Sequence, residues 1–448
     1  MLTLKPPRGA FAVGAVTLVS PVHPHATVGA ATTVGAATTV GAATTVGAAT
    51  TVGTTGPALV LEEVAFTAYY PADARQQRRG MDWLLRPVST TLRGFSRFTG
   101  VPTWLLWPVV YLFGTVLKVP VYPNAPLLHP PDDLKQWPLV IFSHGLGGSR
   151  TTYSQLCSSL AASGKIVLAI EHRDGTAPSC ATCSCRPSGA AARTVLYYRT
   201  DDVAFPAEDT RVLPLRADQL EFRRTEVYRI YSAFCALARD GVALQAIDGA
   251  PVDLRSWMPA AGAPLVNCDH FTLAGHSFGG CTVLSILSSP PPSTAYAPLP
   301  IRKVLLYDPW LEPLPSPGPT PIQSDRPSEQ MLVINSEVFT LWKDHFARLG
   351  SVVDAWEPQG RSILTLVGSR HASFSDFYVL PLFRTKEAQV LLDTTATLSF
   401  AFLDGTLDAT LECVPTREME VKVVGKRKDG RPKRRIVGKV GDVVVHNS

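Results

Sequence analysis

The stretch Phe271-Thr272-Leu273-Ala274-Gly275-His276-Ser277-Phe278-Gly279-Gly280 decides the fold. Phe271 to Ala274 reads as an apolar strand, Gly275 to Gly279 is a G-x-S-x-G, and Cys281 to Leu287 continues in a helix-compatible run. A strand that turns this sharply into a helix stands the serine hydroxyl above the sheet edge. Glycines at 275 and 279 let neighbouring backbone pass that closely. The motif alone is weak in a chain rich in small residues, and the flanking strand and helix make it specific. Ser277 is the candidate nucleophile.

The rhythm on either side of the elbow agrees. Strands are expected at Leu139–Ser143, Ile166–Ile170, Val304–Tyr307, Met331–Ile334 and Ser362–Val367, with helices at Thr151–Ser163 and Asp218–Asp240. Short apolar strands alternating with helices imply an α/β class with a mostly parallel sheet and helices on both faces. Functional groups belong at the carboxyl ends of its strands. Two further strands, Ala10–Val19 and Leu61–Tyr70, flank the region where Val-Gly-Ala-Ala-Thr-Thr recurs between Val28 and Val52. That repeat is short and has no bulky residues for a solenoid core, so a disordered low-complexity insertion is expected.

A serine needs a base, and the base needs a carboxylate to hold its tautomer. In an α/β-hydrolase both follow the nucleophile, in the order Ser, Asp or Glu, His. Asp308 directly follows the Val304–Tyr307 strand, and His371 follows the strand ending at Val367, whereas His345 falls in a helical pattern. For the tetrahedral intermediate, backbone donors are expected from Phe278 and from Leu146 in the loop Ser143-His144-Gly145-Leu146-Gly147-Gly148. This chemistry calls for no metal and no cofactor.

Of the 448 residues, 46% are apolar and 18% charged, as in a globular protein with a deep core. The net charge is +5, but residues 422–439 carry nine Lys or Arg against Asp429. Removing that local +8 leaves −3 for the rest, so the basicity belongs to the C-terminal end, read as a solvated, partly disordered tail. Nucleic acid is the less favoured partner for it. Cys180, Cys183 and Cys185 resemble half of a zinc site with His172 nearby, but no second C-x-x-C completes one. Free thiols are the expectation, and Cys157, Cys235 and Cys281 read as small buried hydrophobes. Trp104 to Phe113 is aromatic and uncharged. Burial in the core is its simplest reading, and peripheral contact with a lipid surface is the functional one. Lys5 and Arg8 before Ala10–Val19 give a weak signal-peptide pattern that reads better as a strand. A cytoplasmic location is expected, with membrane association left open and secretion the less favoured alternative.

The motifs Phe142–Gly148, Glu171-His172-Arg173-Asp174-Gly175, Gly275–Gly280, Asp308-Pro309-Trp310 and Ser369–Asp376 together resemble the platelet-activating-factor acetylhydrolases of the plasma and intracellular type II group, most of all a fungal member. The resemblance runs from about Pro6 to Asp404 and leaves out the repeat and the basic tail. It implies an α/β-hydrolase with Ser277 as nucleophile, Asp308 as acid, His371 as base, Leu146 and Phe278 as oxyanion donors, and Trp310 beside the acyl or headgroup pocket. The expected activity is calcium-independent hydrolysis of short sn-2 acyl esters of phospholipids presented at a membrane or micelle surface. The alternatives are a general carboxylesterase or lipase and a non-catalytic lipid-binding scaffold. The expected organisation is an N-terminal strand region (1–27), the repeat (28–56), a catalytic domain (57–410) and a basic tail (411–448).

Overall fold

The computed structural model describes residues 2–33, 39–41, 56–74, 80–182, 193–258, 263–316, 318–321, 330–356 and 363–446. They form two compact units. The first holds Met1–Leu139, His144–Asp269 and Pro291–Leu299, and the second Val140–Ser143, His270–Pro290 and Pro300–Ser448.

In the first unit, β1 (Val13–Thr27) pairs antiparallel with β2 (Val60–Pro71), from Val13 opposite Pro71 to Thr27 opposite Val60. Then come α1 (Val88–Thr99), α2 (Thr103–Leu112), β3 (Trp137–Ser143), whose residues from Val140 on belong to the second unit, α3 (Ser154–Ala162), β4 (Ile166–Glu171) and α4 (Pro214–Asp240). Strand β4 runs antiparallel to β2, with Val167 opposite Tyr69 and Glu171 opposite Ala65. All of β4 is buried, and β2 is buried without a break from Glu63 to Pro71, so both faces of this ladder are covered. Helices α3 and α4 both pack on β2. Helix α4 starts four residues before the charged pattern that marked it, because Pro214 is pre-organised for a first turn, and it stops at Gly241 in the left-handed conformation.

Two expectations for this unit are corrected. Thr32–Thr33 pairs with Val203–Ala204, Thr39–Gly41 pairs with Arg193–Val195, and the Ala30 and Ala31 amides donate to Asp218 Oδ2 at 2.8 and 3.0 Å. These parts of the repeat are built into the fold, and residues 34–38 and 42–55 lie outside the described residues. The aromatic segment is not core. It forms α2, none of whose residues is buried, with Trp104 71% and Leu112 62% exposed.

The second unit is entered by β5 (Val266–His276) at His270 and continues through α5 (Phe278–Leu287), β6 (Ile301–Tyr307), β7 (Gln330–Ser336), α6 (Lys343–Trp356), β8 (Ile363–Leu366) and α7 (Lys386–Leu403). Strands β5, β6, β7 and β8 pair in that order, all parallel. The chain closes with β9 (Val421–Lys426), β10 (Pro432–Ile436) and β11 (Val443–His446). Strand β11 runs antiparallel to β8, from Ile363 opposite His446 to Leu366 opposite Val443. The expected disordered tail is therefore a strand held between β8 and the short strand Thr416–Arg417, preceded by a paired hairpin. Ile436 at the hairpin's end packs in a buried cluster with Val367 and Val444. Apolar residues in β10 and β11, masked in the sequence by the surrounding charge, anchor it. No helix among the described residues is long and apolar enough to cross a membrane.

Candidate active site

Ser277 sits between β5 and α5 at φ 57°, ψ −118°. A non-glycine residue there carries strain of about 1–3 kcal/mol, so its surroundings must hold it. Its N–H donates to the Tyr307 carbonyl at 2.9 Å, and its carbonyl accepts from Cys281 and Trp310, each at 3.1 Å. A Cβ on Gly275 would lie 2.4 Å from the Gly279 carbonyl, which is why this turn excludes any larger residue.

Side chains that follow the ends of β6 and β8 line up with the serine. His371 Nε2 lies 2.9 Å from Ser277 Oγ, and His371 Nδ1 lies 3.0 Å from Asp308 Oδ2. With the hydroxyl donating to Nε2 and Nδ1–H donating to the carboxylate, the chain of hydrogen bonds requires one imidazole tautomer. Asp308 is fully buried at the end of β6, with φ 42°. Its Oδ1 accepts from the Ser336 N–H and its Oδ2 from the Ser336 hydroxyl, both at 2.6 Å. Ser336 ends β7, so one residue fixes both carboxylate oxygens.

His371 opens a short helical turn over His371–Phe374. Phe339 stacks on its ring at 4.4 Å with planes 3° apart. On another side the His276 ring lies 4.5 Å away, and His276 Nε2–H donates to the His371 carbonyl at 2.9 Å. Burial, then the neighbouring His371, hold the His276 imidazole well below its ordinary range. It stays neutral, so it places no positive charge beside the His371 ring. His276, Asp308 and His371 bring ligand atoms within 4.8 Å of one another. Both His371 nitrogens and one of His276 are already spoken for by Ser277, Asp308 and the His371 carbonyl, so a hydrogen-bonded relay accounts for the cluster.

Phe278 is the first residue of α5, where helix amides present their positive end. Trp310 is half-buried, its ring 6.1 Å from that of Phe278. Leu146 belongs to the first unit. In its loop Gly145 donates to the Tyr153 hydroxyl at 3.3 Å, Gly147 to the Thr176 carbonyl at 2.8 Å and Gly148 to the Gly145 carbonyl at 3.1 Å. The Leu146 N–H has no hydrogen-bond partner among the described residues. Beneath the loop, fully buried Arg223 donates from Nη1 to the His144 carbonyl and from Nε to Asp174 Oδ2, both at 2.8 Å. A charge buried this deeply persists only when paired, and here the pair also pins the backbone at the start of the loop.

His172 is spent elsewhere than on the cysteines: its Nδ1 lies 2.6 Å from buried Glu226. Cys180 lies in the strand Ser179–Thr182, where burial pushes its thiol up to about 11. Cys183 and Cys185 fall outside the described residues. Cys157, Cys235 and Cys281 are buried on helices, as expected. Ser336, Phe339, His276 and Arg223 escaped the sequence reading. Ser336 had a signal, its place at a strand's carboxyl end, whereas Phe339 reaches His371, and Arg223 the His144 carbonyl, through tertiary packing alone.

The parallel β5–β8 ladder, with a helix springing from a serine at the end of β5, is the α/β-hydrolase fold. A ferulic acid esterase from Streptomyces cinnamoneus superposes with a TM-score of 0.50 at 14% identity, over 91% of this chain and 92% of that one. The profile of the platelet-activating factor acetylhydrolase, isoform II, family matches residues 33–414, and the chain belongs to that family. It is an ester-hydrolysing enzyme. Among its relatives are the platelet-activating factor acetylhydrolases of Canis lupus familiaris, 28% identical over 345 residues, and of Bos taurus, 28% identical over 347. Each alignment covers 75% of this chain and 70% of the relative. The basic hairpin lies beyond the matched span.

Proposed function

We propose that the protein is a serine-dependent, calcium-independent esterase that removes acetyl and other short acyl groups from the sn-2 position of platelet-activating-factor-like phospholipids. The observation that carries this reading is the hydrogen-bonded line from Ser277 Oγ through His371 to Asp308. Ser277 Oγ attacks the ester carbonyl while His371 Nε2 takes its proton. Collapse of the tetrahedral intermediate expels the lysophospholipid alkoxide, to which His371 returns the proton, and leaves an acyl-serine. Water, deprotonated by His371, then releases the carboxylic acid. Asp308 holds the tautomer and offsets the imidazolium charge. Phe278 and Leu146 are assigned as oxyanion donors, Phe278 from its place at the helix start and Leu146 from its unpartnered amide between bonded glycines. Trp310 is assigned to the pocket wall.

Substrate in a lipid surface must be met there, and exposed Trp104, Trp107 and Leu112 on α2 suit an interfacial contact. The catalytic segment is placed at 57–410. The thiols among the described residues, buried apart from Cys413, favour a reducing, cytoplasmic setting.

The test is hydrolysis of an sn-2 acetyl phospholipid and of its long-chain counterpart in chelator, by wild type and Ser277→Ala. Acetyl release that survives chelator, exceeds long-chain release and drops about 10⁴-fold or more in the variant is expected. Equal turnover of both, or activity on simple esters alone, would move the assignment to a general carboxylesterase.

A further inference from the structure

The basic hairpin is ordered, and it lines a cavity in the second unit. Strands β9 and β10 pair antiparallel, the turn is closed by Arg427 N–H to the Arg431 carbonyl at 2.8 Å, and Ile436 is buried with Val367 and Val444. Between this hairpin and the segment around Arg370 lies a cavity of about 540 Å³. Of its ten lining residues seven are Lys or Arg and one, Glu337, is acidic. Glu337 does not neutralise the rest. Its Oε2 accepts from the Gly368 N–H at 2.7 Å, and its Oε1 faces Arg435 Nη1 at 3.4 Å. Lys426, Arg427, Lys428, Lys433 and Arg434 form no ion pair among the described residues.

This arrangement concentrates like charge. Lys422 stands directly opposite Arg435 across the ladder, and of these two like charges Arg435 is the one offset by the Glu337 carboxylate. Lys and Arg donors match phosphate oxygens, and the cavity has the size of a small-ligand site, typically about 300–1,000 Å³. We propose that the cavity formed by Arg370 and the basic hairpin binds a multiply phosphorylated anion, as a phosphorylated lipid headgroup or as a free polyphosphate. The cations gather around one half-open cavity instead of tracking along a stripe, which suits such an anion better than a nucleic-acid backbone. Arg370, one of the lining residues, directly precedes His371 in the chain. The inference does not depend on the esterase reading.

The full chain is tested at low salt against inositol hexakisphosphate, against phosphatidylcholine vesicles with and without phosphatidylinositol bisphosphate, and against duplex DNA. The variants are Lys433→Glu with Arg434→Glu, and Lys135→Glu, exposed in the first unit, as control. Binding of the free polyphosphate that weakens at least about tenfold in the double variant but not in the control is expected. Hydrolysis of a water-soluble ester should be unchanged in both. Lys426→Gln with Lys428→Gln, at exposed positions, replaces the double variant if that one unfolds, and weaker binding is again expected. Recruitment to the bisphosphate vesicles that the free compound competes away identifies a lipid headgroup, and binding without recruitment identifies a free polyphosphate. No binding of either, binding undiminished in the variants, or tighter binding of duplex DNA overturns the proposal.

Discussion

Ser277 stays at φ 57° because the Tyr307, Cys281 and Trp310 backbones bond it on both sides, and because glycines leave the room it needs. At this scale Asp308 is held as firmly as Ser277. Asp308→Asn keeps the shape but can no longer accept from Nδ1–H at the oxygen that becomes the amide nitrogen, so kcat should fall about 10⁴-fold with little change in melting temperature. Ser336→Ala removes one hydrogen bond from Oδ2 while the Ser336 N–H still serves Oδ1. A smaller loss, about tenfold, is expected. Steady-state kinetics on a water-soluble ester check both, and an Asp308→Asn variant of near wild-type activity would remove the carboxylate from the mechanism. The serine, aspartate and histidine were legible because chain order and strand ends limit where they can stand. Phe339 and Arg223 were not, since stacking and buried pairing depend on which helices pack where.

Among the elements, α2 is the clearest case in which composition pointed the wrong way. A run as apolar as Trp104 to Phe113 reads as core, yet a ten-residue helix on which no residue is buried leaves its aromatic surface in water. Such a patch needs a reason to persist. Trp104→Ala with Trp107→Ala should change stability by no more than about 0.5 kcal/mol, as at other exposed positions, and leave hydrolysis of a soluble ester intact. Co-sedimentation with phosphatidylcholine vesicles should drop sharply. Unchanged vesicle binding would separate α2 from the lipid surface. The strands of the parallel ladder were placed to within a few residues, because continuous apolar runs bounded by turns leave little choice. Strand β11 was lost because Val443–His446 is short and follows a charge-dense stretch that dominated its reading.

For the whole molecule, buried histidines set the response to acid. Burial holds His144 down to about 3 and, with it the largest cause in each case, His345 and His446 to about 4. His172 and His276 are also held well below their ordinary range, chiefly by burial. An unfolded histidine titrates near 6.5, so below that pH the unfolded chain binds protons that the folded protein refuses. Their contribution is complete above about pH 6.5 and is lost as pH falls toward 4. Glu226 and Glu312, both raised chiefly by burial, act with the opposite sign, but they are two groups against five. Melting temperature should therefore decline steadily from pH 7 to 4.5. A flat or rising profile would show that these histidines are not kept neutral in the fold.

The central claim is that Ser277 is the nucleophile of an esterase acting on short-acyl phospholipid. It is tested most directly by labelling the full chain with a fluorophosphonate, with and without excess sn-2 acetyl phospholipid, and mapping the adduct by mass spectrometry. A single adduct on the peptide carrying Ser277, absent in Ser277→Ala and slowed by the acetyl phospholipid, is the predicted result. An adduct on any other residue, or labelling that survives Ser277→Ala, would contradict it.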